Sequence, residues 1–556
     1  MTEELGGPLD TLLVNARIHT MHEAAPRAEA LGIRGGRIVA LGRIPDLRPL
    51  CGGETRIVDL AGRMVLPSLI DGHCHPTKGA VAELFSCHFP TSATPAEIAG
   101  ALSDYRTREP DIGCVVGGRF GSGFFERHGI SSPREWLDRH SGGKPVYLRD
   151  DSGHNGWANT SALRMLGLDR NSADPPGGRI VRDPKTRDPT GLLLEQADVE
   201  ARSRLPDWSR DQYRTGVREM VRIANGFGIT GITDADATEP LLEAYREADA
   251  AGELTLHVIA SISTPYGHRE EPLDYERIEA LRDAYASARV DTRFVKIYED
   301  GVPTEARTAA MLAPYRPDPS YPANFCGSLH VAEAILAKDV AELEQRGFTV
   351  KLHTAGDRAV RVALDAIEWA HARSGRSDLR HELAHAGLVE PADIHRFREL
   401  NAAADLSPYI WFPSPLIESV RRAIGDRADR YWPIRDLLDA EAPILAGSDW
   451  PAAVASMDPW VGIATMVTRR DPSGENPGSL WADQAIGLAD ALRIFTVEGA
   501  RAARRESVTG SLAVGKSADL IVLEKDLFEM NPGEISSELL EMTWFAGEPV
   551  YEKRHS

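Results

Sequence analysis

The sequence predicts an α/β fold built on a parallel sheet, with a small β-domain assembled from the two ends of the chain. Two observations carry this reading. Through the middle, short β-rich runs alternate with helical-period segments, the pattern of βαβ units. At both ends, β-rich runs separated by turns replace that alternation.

The elements follow in order. TLLVNARIHTM, ALGIRGGRIVALG and TRIVDLAGRMVLP open the chain, and Gly35-Gly36 between two such runs signals a hairpin. GSLAVGKSADLIVLEKD (510–526) and TWFAGEPVYEKR (543–554) share this character, placing the β-domain at 1–67 and 505–556. Between them, 68–504 holds the runs RFVKIYEDG, FTVKLHTAG, HELAHAG and PILAGSDWP, with GITGITDADA as a further member. Helical periodicity marks AEAILAKDVAELEQRG, AVRVALDAIEWAHARSG and EPADIHRFRELNA. The stretch from about 86 to 205 is richer in Gly, Pro and Trp and less regular, and reads as an insertion near the active-site face.

Composition narrows the function. A 556-residue chain with 42% hydrophobic residues can bury a large core. Its net charge of −20 argues against nucleic acid or an anionic membrane as a partner, leaving a small-molecule substrate. No apolar run reaches about 18 residues. MTEELGGPLD lacks the basic and apolar regions of a signal peptide, so a cytoplasmic location is expected. The five cysteines form no CxxC spacing and suit reduced thiols.

The chemistry lies in where ionisable residues fall on the β-runs. His73 and His75 end the first, in DGHCHP; Lys296 lies within FVKIY; His353 ends VKLH; His385 ends LAH; Asp449 follows ILAGS. Each alone has an ordinary structural reading: a hydrogen-bonded strand-end histidine, a helix N-cap, a snorkelling lysine. Together they imply a shared site, because a barrel gathers the C-terminal ends of its parallel strands around one mouth. His73 and His75, at i and i+2 of a strand, share a face and can chelate one ion. Cys74 points to the opposite face and reads as a buried structural thiol. Four imidazoles and a carboxylate suit divalent ions such as Zn²⁺. Burial lowers a lysine's pKa, which favours a CO₂-derived carbamate on Lys296 able to bridge two ions.

At this point the sequence resembles the amidohydrolase superfamily, within it the amidohydrolase-3, YtcJ-like branch. RIVALG, DGHCH, GHNGWANTSALRMLGL, PTGLLLEQA, FVKIYEDG, RTAAMLAPY, LHTAGDRAV, HAGLVEPADIHRF, GSDWP and GSLAVGKSADLIVL carry the resemblance, in order and over nearly the whole chain. It implies a (β/α)8 barrel with a composite β-sandwich and a site for two divalent metal ions. By position His73, His75 and Asp449 would hold one ion, His353 and His385 the other, and carboxylated Lys296 would bridge them. A bridging hydroxide would attack the substrate, with Asp449 as general base and then general acid. Members of the branch often form homodimers. There are departures. Ser68 stands where glycine is usual, and Ala384 and Gly387 replace a glutamate and a glutamine usual around His385. They put polar support there in doubt without removing a ligand.

Further candidates lie outside the ligand set. His154, in the insertion, is placed to donate to a substrate oxyanion, or simply to hold its loop. Asp357 and Arg358 suit an ion pair at a helix start. Phe120, Phe124, Phe125 and Trp157, with Tyr409, Trp411, Phe412 and Trp450, suggest an apolar pocket, the alternative being a mini-core of the insertion. The reading that follows is hydrolysis of an amide, N-formyl or carbamoyl C–N bond on a small, hydrophobic or aromatic molecule. Ester or lactone cleavage and heterocycle deamination are alternatives on the same site. A non-catalytic binding protein is disfavoured because every ligand position is filled.

Overall fold

The computed structural model describes residues 7–90, 92–121, 123–150, 155–175, 178–319, 321–452 and 454–554. It divides into two compact units, Thr77–Gly216 and the remainder, Met1–Pro76 with Val217–Ser556. The insertion expected at about 86–205 falls within the first of these.

The larger unit contains a sheet of eight strands: β1 (Leu69–Cys74), β2 (Ile229–Ala237), β3 (His257–Ile262), β4 (Val290–Tyr298), β5 (Thr349–Thr354), β6 (Glu382–His385), β7 (Ala403–Leu406) and β8 (Ile444–Ala446). Every neighbouring pair is parallel and adjacent in chain order. Helices such as Glu239–Ala250, Glu333–Gln345 and Asp357–Ser374 follow the strands, as parallel connections require. The sheet's two edges meet beyond the strand ends: the Asp449 N–H donates to His73 O (2.7 Å) and the His75 N–H to Trp450 O (2.8 Å). The result is a nearly closed (β/α)8 barrel. Gly447 is required at this seam, because a Cβ there would lie 2.1 Å from the His73 nitrogen.

Two strands were not foreseen from the sequence. β3, HVIASI, mixes apolar residues with His257 and Ser261, and β7, AADL, has only four residues, two of them alanine. Such runs lack the polar–apolar alternation that announces a half-buried strand, because both faces are buried. The expected helix at EPADIHRFRELNA is helical only over Ile394–Glu399.

The ends of the chain build the composite β-sandwich of this unit. One sheet orders Arg37–Gly42, Ala30–Arg34, Leu9–Val14 and Cys51–Asp59. In the other, Met64–Pro67 pairs antiparallel with Leu520–Leu523, so N- and C-terminal segments share a ladder. Leu13, Ile33 and Ile38 from one sheet and Val65, Leu520 and Trp544 from the other form a single buried core. Gly35 and Gly36 both take positive φ (55° and 74°), the backbone of a two-residue turn whose twist matches the flanking strands.

The smaller unit has its own five-stranded sheet, with strands Gly178–Arg182, Pro189–Glu195, Asn155–Ala158, Val146–Asp150 and Val115–Phe120 in spatial order. Thr94 caps the helix Pro95–Arg108 with a reciprocal capping box to Glu97. Among the described residues no helix is long and apolar enough to cross a membrane.

Candidate metal centre

Strand geometry delivers the six ionisable residues to one place. His73 and Lys296 are fully buried on β1 and β4, while His75, His353, His385 and Asp449 are half-buried around them. His75 Nε2 lies 3.4 Å and His73 Nε2 3.7 Å from Asp449 Oδ1, so three ligand-type atoms lie within 4.8 Å of one another. The His385 ring is 5.0 Å from His73 and 4.6 Å from His353, centroid to centroid. The Lys296 charge acts on both His73 and His385. Register sets this meeting: Lys296 aligns with Lys351, Tyr298 with His353, and Thr354 with His385. His385 and Asp449 take positive φ (73° and 57°), a strained backbone that surrounding structure holds at functional positions.

The ring nitrogens are sorted by their partners. His73 Nδ1–H donates to Asp405 Oδ2 (2.6 Å), and His353 Nδ1–H donates to Asp300 Oδ1 (3.1 Å). A carboxylate accepts, so each Nδ1 carries the hydrogen and each Nε2 keeps its lone pair. Asp300 is itself fixed by the N–H groups of Ala310, Ala355 and Gly356. Asp71 Oδ1 accepts from the His73 and Ser448 N–H groups (both 3.1 Å), tying β1 to the loop carrying Asp449. Among the described residues, His73 Nε2 is buried without a hydrogen-bond partner. A buried lone pair beside other ligand-type atoms fits a divalent cation, and the two-His, one-carboxylate group of His73, His75 and Asp449 suits the same ion.

Electrostatics prepare the set for coordination. Burial, with the charges of Lys296 and Lys351, holds His73 well below the usual imidazole range; burial and His353 do the same to His385. Both are neutral at pH 7. Burial and neighbouring Lys351 pull Lys296 down to about 8 against the opposing field of Asp405 and Asp449. Burial works to raise Asp449, but the balance, led by the hydrogen bond from His75, leaves the carboxyl below its usual range and ionised at neutral pH. Burial lifts Asp71 to about 7. Cys74 turns away, its thiol directed at Thr233 O (3.5 Å) and raised well above the usual thiol range by burial.

The remaining candidates fall elsewhere. His154 lies outside the described residues. Phe124 and Trp157 are buried in the core of the smaller unit, where Trp157 meets Phe120, Phe125 and Trp136, and its indole N–H donates to Pro133 O. They are packing, not pocket lining, because the insertion must fill its own interior. Trp411 and Trp450 are buried in the larger unit; Trp411 stacks on Trp432 (5.6 Å) with the Arg469 guanidinium 4.7 Å from its ring. Asp357 does not pair with Arg358: it accepts from the Leu312 and Arg358 N–H groups, while Arg358 reaches Glu333. Gly387, in place of the usual glutamine, lets the Tyr431 ring pack where a Cβ would sit 2.5 Å away.

Sequence reasoning missed the aromatic wall beside the centre. Tyr298 lies 6.2 Å from His353 and 4.8 Å from Tyr266, which in turn meets His330 at 5.5 Å. Tyr266 is half-exposed, so the wall runs from the centre to solvent. Only Tyr298 had a signal: it stands two residues after Lys296, on the same strand face. Asp405 and Asp300 carried none.

A model of the Amidohydrolase family matches residues 56–551. The chain is 27% identical over 565 residues to an N-substituted formamide deformylase of Arthrobacter pascens, covering 98% of this chain and 99% of that protein. It is 27% identical to the putative amidohydrolase YtcJ of Bacillus subtilis over 96% of this chain and 98% of that one. An uncharacterized metal-dependent hydrolase from Pyrococcus horikoshii shares the fold, with a TM-score of 0.76 at 23% identity over 94% of this chain and 99% of that one.

Proposed function

The chain belongs to the amidohydrolase family and is a hydrolase of carbon–nitrogen bonds; from that premise we propose that it cleaves an amide, N-formyl or carbamoyl bond of a small apolar or aromatic molecule. The buried, partnerless Nε2 of His73 amid two further ligand-type groups is the observation that carries the reading. His73, His75 and Asp449 would hold one divalent cation and His353 and His385 a second, zinc by donor chemistry, with a carbamate on Lys296 between them. Such ions supply Lewis acidity toward water and the substrate carbonyl. Asp449, ionised at neutral pH, takes the proton released as water adds to the carbonyl carbon. It passes that proton to the nitrogen as the C–N bond breaks, giving an acid and an amine. Tyr298, Tyr266 and His330 offer ring faces to an apolar substituent. A relative named for deformylating N-substituted formamides supports N-formyl compounds as the first class to try.

The test is a screen of N-formyl, N-acyl and carbamoyl compounds with zinc-loaded enzyme, repeated with Asp449→Asn. Turnover that releases amine and falls by about 10²–10⁴-fold in the variant is expected. A wild-type protein that takes up no divalent metal, or hydrolyses its substrate equally well after chelation, would refute the proposal.

A further inference from the structure

We infer that Lys351 is a positioning residue for His73, holding both the carboxylate that orients its imidazole and the main chain that carries it. This inference rests on the metal centre proposed above.

Beneath the six residues lies a second charged layer, made of Lys351, Glu382 and Asp405, each at most 1% exposed. Strand register assembles it. Lys351 of β5 aligns with Lys296 of β4 on one side and Glu382 of β6 on the other, and Asp405 of β7 aligns with Ala384. The interiors of such barrels are ordinarily filled by layers of branched apolar side chains. Replacing buried ion pairs with apolar residues is often neutral or stabilising, so a charged layer is poorly explained by stability alone.

The contacts of Lys351 Nζ show what the layer does. It lies 2.5 Å from Asp405 Oδ2, the same oxygen that accepts from His73 Nδ1 at 2.6 Å. Among the described residues Asp405 Oδ1 has no hydrogen-bond partner, so the contacts that turn this carboxylate are those of Lys351 and His73 at Oδ2. A second Nζ bond, 3.1 Å, goes to the carbonyl of Gly72, the residue preceding His73. The third neighbour of the ammonium is Glu382 Oε2, at 2.6 Å. Lys351 therefore fixes the ring through Asp405 and the backbone through Gly72. Partners that orient a ligating histidine typically contribute 10–100-fold in metal affinity.

The experiment compares zinc affinity, by chelator competition, and metal-free melting temperature for wild type, Lys351→Met, Asp405→Asn, the double variant and Glu382→Gln. Zinc affinity should fall about 10–100-fold in Lys351→Met and in Asp405→Asn. The double variant should be no more than about three-fold weaker than the weaker single, because the route through Asp405 is common to both losses. Glu382→Gln should change affinity least. Should Lys351→Met fail to fold, Lys351→Gln, which keeps an N–H donor, must still show weakened zinc binding. Unchanged affinity with only a lowered melting temperature makes Lys351 merely structural and overturns the inference, as do fully additive losses. A wild type that binds no zinc removes the metal centre itself, a different failure from a Lys351 variant that binds zinc as wild type does.

Discussion

Among the described residues of the larger unit, two groups bring two histidines and a carboxylate together, and they are built oppositely. One is the centre around His73, His75 and Asp449; the other is Glu344 with His371 and His381, whose ring nitrogens lie 3.2 and 3.1 Å from the same carboxylate oxygen. By residue type and spacing both suit a metal. Their outer partners separate them. At the first, His73 Nδ1 donates to Asp405 and leaves Nε2 with its lone pair. At the second, His381 Nδ1 accepts from the Val350 N–H (3.0 Å), so Nε2 carries the hydrogen and donates it to Glu344. The first group presents the His73 lone pair to a cation; in the second, His381 has spent its lone pair on the Val350 N–H. What a histidine can ligate is decided by what its other nitrogen touches.

The largest expected effect tests this contrast directly. His73→Ala with His75→Ala should abolish zinc retention measured on purified protein, whereas His371→Ala with His381→Ala should leave the zinc stoichiometry unchanged. Loss of a metal equivalent in the second pair would erase the distinction between the groups.

Gly447→Ala comes next, since its Cβ meets the main chain of His73 rather than a movable side chain. A loss of about 3 kcal/mol in chemical denaturation is expected, together with weakened zinc binding. Wild-type affinity in that variant would show that the seam at β1 and β8 does not position the centre.

The second group should show itself through pH. Burial works against the Glu344 charge, but hydrogen bonds from His371, His381 and Ser374 hold its carboxyl down at about 2, compared with an unfolded value of about 4.5. A depressed carboxyl stabilises the fold above the unfolded value and loses that stabilisation as pH falls toward 2. Wild type should thus exceed Glu344→Gln by up to about 3 kcal/mol at pH 7, with the gap closing on acidification. A gap that stays flat with pH would mean the two imidazoles do not hold this charge. The smallest effect belongs to Cys74→Ala, expected to cost about 1 kcal/mol and to leave zinc content untouched; any zinc loss would make the thiol a participant after all.

Much of this molecule was legible in the chain. Alternation of side chains on a strand put His73 and His75 on one face and Cys74 on the other, and the C-terminal ends of β-runs marked Lys296, His353, His385 and Asp449 as neighbours. The paired glycines at 35 and 36 announced their hairpin. These features are local: a few consecutive residues and the period of a strand contain them. Tertiary structure decided the rest. Asp405 sits in a four-residue strand without a signature, and its meeting with His73 and Lys351 depends on the register of strands far apart in sequence. From the chain, Phe124 and Trp157 suggested a pocket, with a mini-core of the insertion as the alternative, and packing decided for the core. The tautomers of His73 and His381 follow from a carboxylate in one case and a backbone N–H in the other, partners 332 and 31 residues away. Residue types and their periodicity are written along the chain, but the hydrogen bonds that decide which nitrogen stays free form only when distant strands align.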